Sequence, residues 1–150
     1  MRCFAVNDAD CVFRIETGYE CSGYLCLSYG NSDTLIEMTT ESSSARIIAI
    51  ECIYLGEVLH EPRLKLPDCR SNPNLNSYYE AVCYDDRSHS RYPCVVNLIG
   101  DELTLIFSGP CEPAIYYVHD RVEYYYNKEF DLVYIKVVDL TADELAYLNR

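Results

Sequence analysis

The sequence predicts a mainly β protein with a short C-terminal helix, built as a single domain over residues 1–150. The expected architecture is a β-rich α+β fold, an antiparallel sandwich or strongly curved sheet of about eight or nine strands. Three observations support this. Apolar and polar residues alternate with a period of two, and Gly, Asn, Asp and Ser clusters separate the alternating segments. The hydrophobic fraction, 49% of 150 residues, suffices for one core.

The alternating pattern predicts strands at residues 11–16, 24–29 and 34–39. A Gly-Asn-Ser-Asp turn separates the last two segments, which indicates a hairpin. Residues 46–54 could form a buried helix, but their isoleucines favour a central strand. Residues 78–84 form a further predicted strand, which ends in a polar turn.

Two more hairpins are predicted in the second half of the chain. The first spans residues 94–107 and turns at Gly100 and Asp101. The second spans residues 114–126 and turns at residues 119–121, where an Asp suits the turn conformation.

The C-terminal segment predicts a central strand followed by a helix. Residues 131–138 carry an apolar majority on both faces, as expected of a strand with neighbours on both sides. Thr141 and Glu144 have the spacing of a capping box, and Leu140 and Leu145 can form a hydrophobic staple beside it.

The charge balance is strongly acidic, with 24 Asp and Glu against 12 Lys and Arg and a net charge of −12. Such a surface repels phosphate backbones, so we expect the protein to bind neither nucleic acid directly nor an anionic membrane. It can attract a basic partner and speed the encounter. The alternative interpretation is that acidity only keeps the protein in solution.

The cysteines indicate a reducing compartment. There are nine, which is an odd number, and no two have the C-x₂-C spacing of structural zinc sites. Several lie in strand-like segments, where a free thiol behaves as a small hydrophobe. The sequence also lacks an apolar run of the ~20 residues that cross a bilayer, and its N-terminus lacks a signal-peptide pattern. A cytoplasmic protein is therefore expected.

The sequence contains none of the common catalytic or cofactor motifs, so no catalytic, cofactor-binding or metal-binding residue is assigned and an enzyme is not expected. The segment Ser88-His89-Ser90 offers a nucleophile and a base, but a catalytic triad is normally assembled from separate elements. We interpret it as a solvated turn.

Tyrosine is unusually frequent, with 15 residues, and part of this reflects its preference for pleated sheets. Tyr is also enriched at protein interfaces, and with carboxylates it can hold Arg and Lys. The hairpin over residues 114–126 and its flank combine both residue types. The predicted protein-binding residues are Tyr117, Asp120, Glu123, Tyr125, Glu129 and Asp131.

In bulk character the chain resembles small acidic inhibitors of nucleases, such as toxin-immunity proteins or phage-encoded blockers of nucleic-acid-binding effectors. The resemblance is one of composition, and it implies a basic protein partner, possibly a nuclease, that the chain sequesters. Two alternatives stay open. One is a small enzyme or ligand-binding protein with a site inside the β structure. The other is a self-associating structural protein, for example a homodimer that pairs through Tyr-rich edges.

Overall fold

The structure is a computed structural model, and it describes residues 3–8, 10–18, 24–30, 33–41, 47–60, 70–71, 94–107, 112–128 and 132–149. The predicted strand at residues 78–84 and the Ser88-His89-Ser90 segment lie outside the described residues.

Strands dominate the described residues, and one short helix follows them. The strands are β1 (Phe4–Asp8), β2 (Cys11–Glu16), β3 (Tyr24–Gly30), β4 (Leu35–Glu41), β5 (Ile47–Tyr54), β6 (Arg70–Ser71), β7 (Cys94–Ile99), β8 (Glu102–Phe107), β9 (Ile115–His119), β10 (Val122–Tyr126) and β11 (Leu132–Val137). The helix is α1 (Ala142–Leu148).

The strands form two sheets. The first has the order β1-β2-β5-β4-β3 and the second has the order β6-β9-β10-β11-β8-β7. Neighbouring strands run antiparallel except β6 and β9, which pair in parallel over two residues. The predicted fold class, mainly β and largely antiparallel with a short C-terminal helix, is confirmed. The structure adds β1 and β6, which the sequence did not predict.

The two strands expected to be central are central. β5 lies between β2 and β4, and β11 lies between β10 and β8. All three predicted hairpins form as well, namely β3–β4, β7–β8 and β9–β10. At the β7–β8 turn Gly100 has φ +57°, a conformation in which glycine has no steric penalty.

A single hydrophobic core joins the two sheets. Phe13, Ile15 and Ile50 contribute from the first sheet, and Leu105 and Tyr124 contribute from the second, all without exposed surface. Full burial of a large apolar side chain stabilises a fold by roughly 1.5–3 kcal/mol. The two sheets therefore share their largest stabilising contribution and form the layers of a sandwich.

Two edge strands carry features that interrupt regular pairing. The N–H of Leu59 donates to the carbonyl of Val96 (2.9 Å), and the N–H of Leu98 donates to the carbonyl of Leu59 (2.8 Å), so Leu59 occupies the outer side of β7. In β1, Asn7 has φ +49° and accepts a hydrogen bond at Oδ1 from the Tyr147 hydroxyl of α1 (3.3 Å).

The capping box of α1 is confirmed. The Glu144 N–H donates to Thr141 Oγ1 (3.2 Å), and the Thr141 N–H donates to Glu144 Oε2 (2.9 Å). Leu140 and Leu148 are buried, and Leu145 packs against the same core. No helix in the described part of the chain is long and apolar enough to cross a membrane.

We predict that Thr141→Ala destabilises the protein by about 0.5–2 kcal/mol, because it removes one hydrogen bond of the capping box. Thr141→Ser keeps the hydroxyl and should stay close to wild type. Urea denaturation followed by circular dichroism measures both. Equal midpoints for Thr141→Ala and wild type would contradict the cap's contribution.

Buried thiols contribute to the core as hydrophobes. Cys3, Cys11, Cys52 and Cys94 are buried and carry thiols rather than disulfides, which agrees with the predicted reduced state for these four cysteines. Burial raises the pKa of Cys52 to about 12 and that of Cys94 to about 12. Both side chains are therefore neutral at physiological pH, and their thiolates form only with difficulty.

We predict that iodoacetamide modifies Cys94 slowly in the folded protein and rapidly in urea. The pKa of Cys94 is raised from 9.0 to about 12 by folding, so its contribution to stability is complete below pH 9.0 and is lost as the pH rises toward 12. The stability difference between wild type and Cys94→Ala should therefore shrink over that interval. A constant difference, or equal alkylation rates in both states, would refute the prediction.

Candidate functional site

The predicted surface lies on the β9–β10 hairpin, which turns through Asp120 and Arg121. His119 and Val122 are paired across this two-residue turn. Asp120 has φ +55°, a left-handed conformation that Asp adopts more readily than most residues. The turn therefore fixes which residues of β9 and β10 stand opposite each other.

This register separates the tyrosines into two sets. Tyr117 is paired with Tyr124, and Tyr116 is paired with Tyr125. Opposite residues of an antiparallel pair share a face, so Tyr117 lies on the core side, where it packs against the buried cluster. The predicted binding residue Tyr117 therefore does not share the outer face with Tyr125. Tyr116 takes that place.

Three tyrosines form a row across the outer face of the second sheet. Tyr125 is paired with Tyr116 of β9 on one side and Tyr134 of β11 on the other. The ring centroids of Tyr116 and Tyr125 are 5.6 Å apart in a stacked arrangement, and those of Tyr125 and Tyr134 are 6.5 Å apart edge to face. Both are favourable aromatic geometries. The central ring, Tyr125, is only 7% exposed.

Beside this row stands a carboxylate with an exposed apolar neighbour. Glu123 is paired with Val118, which is 47% exposed. The Tyr125 hydroxyl donates to Glu123 Oε2 at 2.5 Å. Tyr116, Val118, Glu123 and Tyr125 thus form two adjacent cross-strand pairs on one face, which we name the β9–β10 patch.

The basic side chain that stands opposite Glu123 in the sheet does not form an ion pair with it. Lys136 of β11 is paired with Glu123 in the sheet, but its ammonium lies 3.2 Å from Glu102 Oε2. Among the described residues, no ion pair reaches the Glu123 carboxylate. A half-buried carboxylate therefore sits in aromatic and aliphatic surroundings with a neutral hydroxyl as its donor.

Exposed carboxylates gather at one end of the sandwich. The Leu140 N–H donates to the carbonyl of Asp101 (3.0 Å), and the Val138 N–H donates to the carbonyl of Arg121 (2.9 Å), so two hairpin turns and the start of α1 lie together. We call this region the acidic end. Its exposed carboxylates are Asp101, Asp120, Asp139 and Asp143.

Arg121 belongs to this end, but an internal ion pair occupies it. Its guanidinium donates to Glu144 Oε2 (2.8 Å) and Oε1 (2.5 Å), and also to the carbonyl of Asp139 (3.2 Å). It lies 5.2 Å from the centroid of the Phe4 ring. The hydrogen bonds from Arg121 hold the pKa of Glu144 below its usual value, and those to Glu144 raise the pKa of Arg121.

The structure therefore brings together part of the predicted set. Glu123 and Tyr125 are in contact, and Asp120 is exposed at the adjoining turn. Glu129 and Asp131 lie outside the described residues. Tyr116, Val118 and Tyr134 belong to the outer face but were not predicted. A two-residue turn at residues 120–121 would have revealed Tyr116 and Val118, because it sets the pairing.

Within the described ranges, no group of three His, Cys, Asp or Glu side chains is placed to hold a metal ion. No protein-family model matches the sequence, and no curated protein matches it. The β9–β10 patch and the acidic end are therefore the features of this chain that bear on its function.

We predict that Arg121 and Glu144 are energetically coupled. Glu144→Gln keeps a side chain that can complete the capping box but loses the charge pair, and Arg121→Gln leaves Glu144 without its cation. Each single change should cost about 1–3 kcal/mol, and the double variant should cost less than their sum. Glu16→Gln, at the longer Arg14–Glu16 contact of 3.4 Å, is the control and should change stability little.

Chemical denaturation of wild type, the two single variants and the double variant measures the coupling, and Glu16→Gln is measured beside them. Because folding lowers the pKa of Glu144, the contribution of the pair is present above pH 4.5 and is lost as the pH falls below it. Arg121→Gln should therefore lose less stability on acidification than wild type. Additive single effects, or identical acid profiles, would contradict the coupling.

Proposed function

We propose that the protein is a stoichiometric binding module for a basic protein partner. The partner class that its composition favours is a nuclease or another nucleic-acid-binding effector, which the module would sequester. The observation that carries this proposal is the environment of Glu123, an acidic and aromatic surface without an internal counter-ion among the described residues. Tyrosine and valine supply contact area, and the carboxylate supplies charge selectivity.

The acidic end supports the proposal through long-range electrostatics. Its exposed carboxylates adjoin the β9–β10 turn, and the Arg121 charge there is compensated by Glu144. With a net charge of −12, the chain produces a negative potential that steers a cationic protein during encounter. The patch would then form the close contacts that determine how long the complex lasts.

The function is tested by affinity capture from the native source with three baits. These are wild type, Glu123→Lys/Glu129→Lys/Asp131→Lys, and a control with the same change in net charge, Glu16→Lys/Glu37→Lys/Glu57→Lys. We expect wild type to retain a basic protein, and its association rate to fall about 10-fold or more between low and physiological salt. The first variant should associate more slowly than the control.

Truncation of the Tyr125 side chain separates effects on the dissociation rate from effects on the association rate. Tyr125→Ala should mainly speed dissociation of the same partner, because it removes the ring that supports Tyr116 and the hydroxyl that holds Glu123. A partner that is neutral or acidic would overturn the proposal. Equal association by the two charge-reversed baits would also do so, since the location of the carboxylates would then have no effect.

A further inference from the structure

The chemistry of the β9–β10 patch favours one kind of cation. Glu123 Oε2 already accepts from the Tyr125 hydroxyl, and Oε1 accepts no hydrogen bond from the described residues. Tyr116 stands diagonally across the patch, with one face of its ring stacked on Tyr125. A ligand at Glu123 therefore meets a carboxylate oxygen and the partly exposed part of an aromatic ring.

The aromatic and aliphatic side chains beside Glu123 favour a guanidinium over an ammonium. A guanidinium is planar, stacks on aromatic rings and donates several N–H groups in a fixed fork, whereas an ammonium is compact and strongly hydrated. Partial desolvation beside Tyr116 and Val118 therefore costs arginine less than lysine. Val118, 47% exposed and paired with Glu123, also offers contact to the aliphatic part of a long side chain.

Among the described residues, the two cations closest in register and sequence are engaged elsewhere. Lys136 is directed to Glu102, and Arg121 is held by Glu144 on the helix side of the hairpin. Neither of these two side chains complements the charge of Glu123, and a cation of the partner would do so.

We propose that the β9–β10 patch is a receptor for an arginine side chain of the basic partner. The guanidinium stacks on Tyr116 and donates to Glu123, and its methylene groups lie on Val118. This inference rests on the proposed function and narrows it, because it requires arginine rather than positive charge alone.

The experiment uses two fluorescein-labelled peptides of equal length and charge, in which glycine alternates with arginine in one and with lysine in the other. Fluorescence anisotropy measures binding to wild type, Glu123→Gln and the control Glu37→Gln, a carboxylate on the outer face of the first sheet. We expect wild type and the control to bind the arginine peptide about two- to fivefold tighter than the lysine peptide. Glu123→Gln should remove this preference.

A second variant tests the geometry while keeping all rings in place. Tyr125→Phe removes the hydroxyl that occupies Glu123 Oε2, so the arginine preference should persist or increase. Unchanged thermal midpoints show that the variants are folded.

The outcomes separate the two levels of the proposal. Equal binding of both peptides by wild type would overturn the arginine receptor, while a basic partner captured from the native source would still support the proposed function. An arginine preference that survives in Glu123→Gln would also overturn the receptor. Absence of binding by both peptides, together with capture of no basic protein, would overturn both.

Discussion

The register of the β9–β10 hairpin is the constraint on which the second sheet depends. Side chains alternate along β10, so the two-residue turn at Asp120 and Arg121 directs Val122, Tyr124 and Tyr126 into the core and places Glu123 and Tyr125 on the opposite face of the strand. A slip of one residue would bury a carboxylate and expose two large rings. The Arg121–Glu144 pair links this turn to α1. The contact of the Arg121 guanidinium with the Phe4 ring links the turn to the first sheet. Local turn chemistry and long-range contacts thus support the same register.

The charge of the candidate surface depends on which side chains form ion pairs as well as on the number of charged residues. Arg121 and Lys136 both lie close to the candidate surface, yet each is paired with a carboxylate on a neighbouring element. The pairs stabilise the fold, and among the described residues neither Arg121 nor Lys136 forms an ion pair with Glu123. The placement of these two cations is information that composition alone does not provide. A similar internal pair, Arg14 with Glu51 at 2.9 Å, lies on the first sheet.

Much of the fold could be predicted because its determinants are local. Alternation placed most strands, turn residues placed the hairpins, and Thr141 with Glu144 placed the helix. The orientation of Tyr117 depends on whether the turn between β9 and β10 takes two residues or three, because that number sets the pairing of the two strands. The register also shifts between Tyr125 and Tyr126, which brings Leu132 opposite Tyr126 on the core side. Such an irregularity arises from packing between strands and leaves no pattern in one strand alone. The pairings of Arg121 and Lys136 join residues far apart in sequence, so they too appear only in three dimensions.

The position of Leu59 beside β7 has a consequence for the behaviour of many copies of the chain. A β-rich protein with many tyrosines is exposed to edge-to-edge polymerisation, in which the unpaired backbone of one sheet becomes the template for another. Along β7, the carbonyl of Val96 and the N–H of Leu98 are already bonded to Leu59, and the imidazole of His60 contacts the carbonyl of Leu98 at 2.8 Å. A neighbouring molecule would have to displace this segment before it could add a strand there. The same short stretch of chain therefore occupies hydrogen-bonding groups that strand addition at this edge would need.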